Sequence, residues 1–123
     1  MPAYDLLNGF LKSYHENRRA LEGLGYKVTT KTSSLEAEKE FLGAPDGFDM
    51  IITDMTMPGK TGDKLAHAVK QIRKDIPVIL CTGFSEQLHH RRDSIEVEGF
   101  LMKPINFKKT AEMIRRILDD SIE

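Results

Sequence analysis

Two nearly continuous apolar runs stand out from a chain that otherwise mixes polar and apolar positions: Phe48-Asp49-Met50-Ile51-Ile52-Thr53 and Pro77-Val78-Ile79-Leu80-Cys81-Thr82. Short runs without polar alternation predict strands covered on both faces. The first delivers Asp54 to its carboxyl end. Lys27-Val28-Thr29-Thr30-Lys31, β-branched at its centre and preceded by Gly23-Leu24-Gly25, predicts another short strand after a helix end and a tight turn. Gly99-Phe100-Leu101-Met102 predicts one more, ending at Lys103-Pro104.

Helical patterns fill the intervals. Ser33 stands three residues before Glu36, the spacing of a capping box, and opens a helix through about Leu42 with Leu35 and Phe41 turned inward. Gly43-Ala44-Pro45-Asp46-Gly47 stops it. After the loop Met57-Pro58-Gly59-Lys60-Thr61-Gly62, the residues Leu65, Val69 and Ile72 repeat at helical spacing to about Lys74. Ser85 caps a polar helix through about Arg92, and Asn106 caps the last one, to about Asp120. There Ala111, Ile114, Ile117 and Leu118 share an apolar face, with Lys108, Lys109, Arg115 and Arg116 solvated.

Strands alternating with helices predict an α/β fold, a doubly wound parallel sheet whose site lies beyond the carboxyl ends of the strands. The N-terminal stretch admits two readings. It holds either a short first strand or a helix, since Leu6-Leu7, Phe10-Leu11, Tyr14, Arg18 and Leu21 approximate helical spacing despite Gly9. In the second case the sheet lacks its first strand, and a rearranged sheet, a swapped element or a homodimer has to cover the exposed edges.

The 123 residues, 40% hydrophobic and 30% charged, suit one domain spanning 1–123 with one core. A formal net charge of −1, with both signs mixed along the chain, gives no general attraction to nucleic acid or to an anionic membrane. The single cysteine, Cys81, has no mate for a disulfide within the chain and reads as a small core residue. No run approaches the ~20 apolar residues that span a bilayer, and the first residues lack the pattern of a signal peptide, so the expected location is cytoplasmic. His15, His67, His89 and His90 complete no metal-ligand spacing, and Met55 and Met57 read as loop and packing residues.

Three polar residues stand directly after three apolar strands: Asp54, Thr82 and Lys103. In a parallel sheet those positions converge on one edge, bringing together a carboxylate, a hydroxyl and an ammonium. Gly-rich phosphate loops and Ser/His/Asp or Cys/His arrangements are absent, which argues against an enzyme of the flavin-binding or hydrolytic α/β classes.

From about Glu16 to the C-terminus the sequence resembles the receiver domain of two-component response regulators, including those of hybrid histidine kinases. Thr53-Asp54-Met55-Thr56-Met57-Pro58-Gly59 is similar to the family's phosphoacceptor segment, Cys81-Thr82-Gly83-Phe84 to the segment with its switch hydroxyl, and Phe100-Leu101-Met102-Lys103-Pro104 to the segment with its switch aromatic and lysine. The resemblance implies a flavodoxin-like receiver fold with strand order 2-1-3-4-5. It also implies Asp54 as phosphoacceptor, Thr82, Lys103 and Phe100 as phosphoryl and switch residues, and a histidine kinase or phosphotransfer domain as partner. Phosphorylation makes an acyl phosphate, and the charge-assisted contacts of Lys103 and Thr82 suit its oxygens.

The match departs from the family at its start. Receivers carry an acidic pair at the end of the first strand that helps hold Mg2+. Counting back from Leu24-Gly25-Tyr26 puts that pair at Asn8-Gly9, and Asp5 is the nearest acid upstream. A site left with Asp54, the backbone carbonyl of Thr56 and waters is expected to hold Mg2+ weakly. Two functions are therefore expected in turn: a receiver phosphorylated on Asp54, or a degenerate receiver acting as a phosphorylation-independent interaction or dimerisation module. No helix-turn-helix follows the receiver segment, so the expectation is a stand-alone receiver or a piece of a longer protein.

Overall fold

The computed structural model describes residues 5–9, 19, 21–31, 33–55, 61–82, 96–102 and 107–122. Five parallel strands, β1 (Asp5–Gly9), β2 (Lys27–Thr30), β3 (Met50–Asp54), β4 (Val78–Thr82) and β5 (Gly99–Met102), form one sheet in the order β2-β1-β3-β4-β5. Three α-helices, α1 (Ser34–Gly43), α2 (Gly62–Ile72) and α3 (Phe107–Ile122), and a short 3-10 helix, Pro45–Gly47, are described. A helical turn at Leu21–Gly23 leads into β2 through Gly25, whose φ of 99° a side chain would strain.

β3 and β4 are buried along their whole length, as their unbroken apolar runs predict. Their side chains alternate between two cores. Met50, Ile52, Ile79, Cys81 and Leu101 pack with Leu21 and with Ile114, Ile117 and Leu118 of α3 on one face. On the other, Ile51 and Val78 pack with Ala37 and Phe41 of α1 and with Leu65, Ala66 and Val69 of α2. Both faces are thus covered, which is why neither strand shows polar alternation.

The first strand is present and in its family place, against the expectation of a degenerate or rearranged one. Asp5–Gly9 pairs with β2 on one side and with β3 on the other, Leu7 opposite Thr29 and Ile51. Within Leu6–Gly9 the helical spacing is overridden because two neighbouring strands supply hydrogen-bond partners that an isolated segment lacks. The sheet therefore closes within a single chain.

Ser33 caps α1 as its spacing predicts, its Oγ accepting from the Glu36 N–H at 3.1 Å. The inward face differs from expectation. Ser34, Ala37 and Phe41 are buried, whereas Leu35 is 56% exposed. Leu35 and Phe41 are six residues apart, about 120° around a helix, so both cannot face the sheet. In α3, Thr110, Ile114, Ile117 and Leu118 are the buried set, with Ala111 half-buried. The segment expected to form a helix from Ser85 and the cap at Asn106 lie outside the described residues.

Candidate functional site

All four inter-strand pairings are parallel, so the carboxyl ends of the strands share one edge of the sheet. In register, Gly9 stands opposite Thr53, Asp54 opposite Cys81, and Thr82 opposite Met102. Asp54 and Thr82 are the last residues of β3 and β4, and only 5% and 4% exposed. A carboxylate and a hydroxyl thus end adjacent strands, Thr82 standing one residue beyond Cys81, the register partner of Asp54. Lys103 follows Met102 directly but, like Thr56, lies outside the described residues.

The strand end is fixed by its backbone. Met55 N–H donates to the Cys81 carbonyl at 2.8 Å, continuing the ladder one residue beyond Asp54, and the Met55 carbonyl accepts from Gly62 N–H at 2.9 Å. The chain thus leaves the sheet at Met55 and returns to it at the first residue of α2. Gly62 is needed for that return: a Cβ there would lie 2.5 Å from both the Asp54 carbonyl oxygen and Leu80 Cδ1. Sequence reasoning assigned Gly62 only to a loop. Its signal was a glycine at the start of a helical pattern, where a capping side chain is the commoner choice.

Thr82 and Phe100 lie on the same face. Phe100 pairs with Leu80, two residues before Thr82, and strand alternation puts Leu80, Thr82 and Phe100 opposite Cys81 and Leu101. Their backbones are then diagonal neighbours about 8 Å apart. Phe100 is half-buried and helps line a groove of about 510 Å3 between β5 and α3, together with Met102, Met113, Lys109 and Arg116. His67, in α2, is exposed.

A family model for the response regulator receiver domain matches residues 13–115. The chain belongs to the receiver domain family. Among curated relatives, this receiver is 35% identical over 103 residues to two-component response regulator ORR3 of Oryza sativa subsp. indica, covering 81% of this chain and 78% of that protein. It is 36% identical over 105 residues to ORR6 of Oryza sativa subsp. japonica, spanning 61% of it. A match at 28% identity to sensor kinase CckA of Brucella abortus (strain 2308) covers 82% of this chain and 11% of the kinase. The chain thus spans less than two thirds of the length of ORR6 and a small part of the kinase.

Solved receivers share the fold. A response regulator receiver domain protein from Clostridium thermocellum superposes with a TM-score of 0.85 at 24% identity, covering 97% of this chain and 96% of the other. A CheY-like receiver domain protein from Methanospirillum hungatei JF-1 gives 0.87 at 20% identity, covering 98% and 97%. No helix among the described residues is long and apolar enough to cross a membrane.

Receiver domains typically bind Mg2+ at the phosphorylation site. The donors here do not fit that ion well. The strand-end positions on β1, beside Thr53-Asp54, are Asn8 and Gly9, a neutral amide and a residue without a side chain. Among the described residues no three His, Cys, Asp or Glu side chains group closely enough to hold a metal.

Proposed function

We propose that residues 1–123 act as one receiver module of a two-component pathway, with Asp54 accepting a phosphoryl group from a histidine kinase or phosphotransfer domain. The observation that carries this reading is a buried aspartate at the carboxyl end of β3, with Thr82 ending the neighbouring strand. A carboxylate oxygen of Asp54 forms the O–P bond as the N–P bond to the donor's phosphohistidine breaks. The new phosphoryl oxygens are met by the Thr82 hydroxyl and the Lys103 ammonium, in charge-assisted hydrogen bonds.

Thr82 drawn toward the phosphoryl group leaves space that Phe100 fills by turning inward. Because Phe100 also lines the groove between β5 and α3, that turn changes the surface a partner reads. Intact-mass analysis after acetyl phosphate treatment tests the reading: one phosphoryl adduct on the native chain, none on Asp54→Asn. Failure to label the native chain, under conditions that label other receivers, rejects it.

Asn8 and Gly9 favour a second reading, a receiver that binds a partner or a second copy of itself irrespective of phosphorylation. It requires the same complex, at the same affinity, from the native chain and from Asp54→Asn. Affinity measurement on the two proteins decides this.

A further inference from the structure

We infer that the pocket around Asp54 holds no resident divalent cation, having lost the charge that would bind one. The inference rests on the reading of Asp54 as the receiver's phosphoryl site and concerns what else that site binds. β1 ends at Gly9, opposite Thr53, so Asn8 and Gly9 are the residues this strand offers next to Asp54. Mg2+ requires near-octahedral oxygen ligands and pays heavily for dehydration, which anionic oxygens offset far better than neutral ones.

Asp5 does not replace the missing acids. It is the first residue of β1 and pairs with Lys27 at the start of β2. Four residues at ~3.3 Å each put it about 13 Å along the strand from Gly9, toward the opposite end of the sheet. The parallel register, held by β2 and β3 on both sides, allows no slip that would move it closer. Asp63, in the first turn of α2, is the next acid beyond Gly62. Even with it counted, the described residues form no three-ligand cluster.

Replacing two carboxylates with an amide and a hydrogen lowers affinity for a divalent cation on the order of a hundredfold, because charge count in the ligand shell sets affinity over several decades. Fewer negative charges also surround an incoming phosphoryl group, so part of the cation's screening role becomes unnecessary.

The test uses Mn2+ as the probe, followed by paramagnetic broadening of amide resonances at Asp54, Met55 and Thr82. In the native chain no saturable broadening at these residues is expected up to about 10 mM. Asn8→Asp, and Asn8→Asp with Gly9→Asp, are expected to create saturable binding at millimolar Mn2+ or below. Saturable broadening in the native chain at millimolar Mn2+, lost in Asp54→Asn, overturns the inference whether or not the variants fold.

Labelling with phosphoramidate in Mg2+ or in EDTA supplies the second readout. Equal adduct in both supports the inference, and adduct confined to Mg2+ overturns it. No adduct in either condition, with no saturable Mn2+ binding, leaves the inference standing and removes the phosphoacceptor reading instead.

Discussion

Lys70 and Glu98 are joined across 28 residues by a two-pronged contact, Nζ lying 3.0 and 2.9 Å from the two carboxylate oxygens. Lys70 Nζ also donates to the Ile76 carbonyl at 2.8 Å, and Glu98 Oε1 accepts from Val78 N–H at 2.8 Å. Two side chains thereby tie α2 to the beginnings of β4 and β5, at the opposite end of the sheet from Asp54. The lysine side chain is 7% exposed and the glutamate 40%, so the pair is shielded on one side only.

Lys70→Met removes the donor and leaves the Ile76 carbonyl without it. A loss of about 1–3 kcal/mol is expected in urea unfolding. Glu98→Gln retains an acceptor for Val78 N–H, and its loss is expected to be about half as large.

The two tightly packed glycines answer differently to a methyl group. Gly62→Ala drives a Cβ against the Asp54 backbone carbonyl, which cannot move without breaking the strand end, so destabilisation of about 1–3 kcal/mol is expected. At Gly99 the nearest atom is Met113 Sδ, at 2.6 Å, the flexible end of a side chain. Gly99→Ala is expected to cost less than about 1 kcal/mol as the methionine shifts. Thermal melts of the two variants side by side check the ordering.

Ser33→Ala removes the side-chain acceptor for Glu36 N–H at the start of α1. About 1 kcal/mol is the expected cost, and Ser33→Asp should recover most of it. Chemical denaturation of the three proteins measures both steps.

Thr82→Ala separates phosphorylation from its readout. The variant is expected to gain the Asp54 adduct while the Phe100 ring resonances stay at their unphosphorylated positions. Ring shifts equal to those of the phosphorylated native chain would break the proposed link between the two residues.

Strands covered on both faces were the most legible elements: Met50–Asp54 and Val78–Thr82 advertise themselves by having no polar face to hide. β1 was not. Leu6-Leu7 carries no β-branched residue and is followed by Asn8-Gly9, so its strand character comes from pairing with β2 and β3, which lie far along the chain. Leu35 misled for a different reason. The inward face of α1 is made by Ser34 and Ala37 with Phe41, and small residues are easily passed over in favour of an exposed leucine.

At the site, the placement of Asp54 and Thr82 was readable because strand ends are readable. The close approach of Gly62 was not, since it depends on where the chain returns. Lys70 passed unnoticed although it follows Val69 and lies four residues after Ala66, on the buried stripe of α2. A lysine in such a row signals a partner, but Glu98 lies on another element and no local spacing points to it.

The hydrogen bond between Met55 and Gly62 clasps the end of β3 to the start of α2. For a connection whose ends are held in this way, each doubling of length costs only ~0.6 kcal/mol of closure entropy. Strand register does not depend on it. A change of length between these two anchors is therefore expected to leave the sheet, and the place of Asp54 at its edge, unaltered.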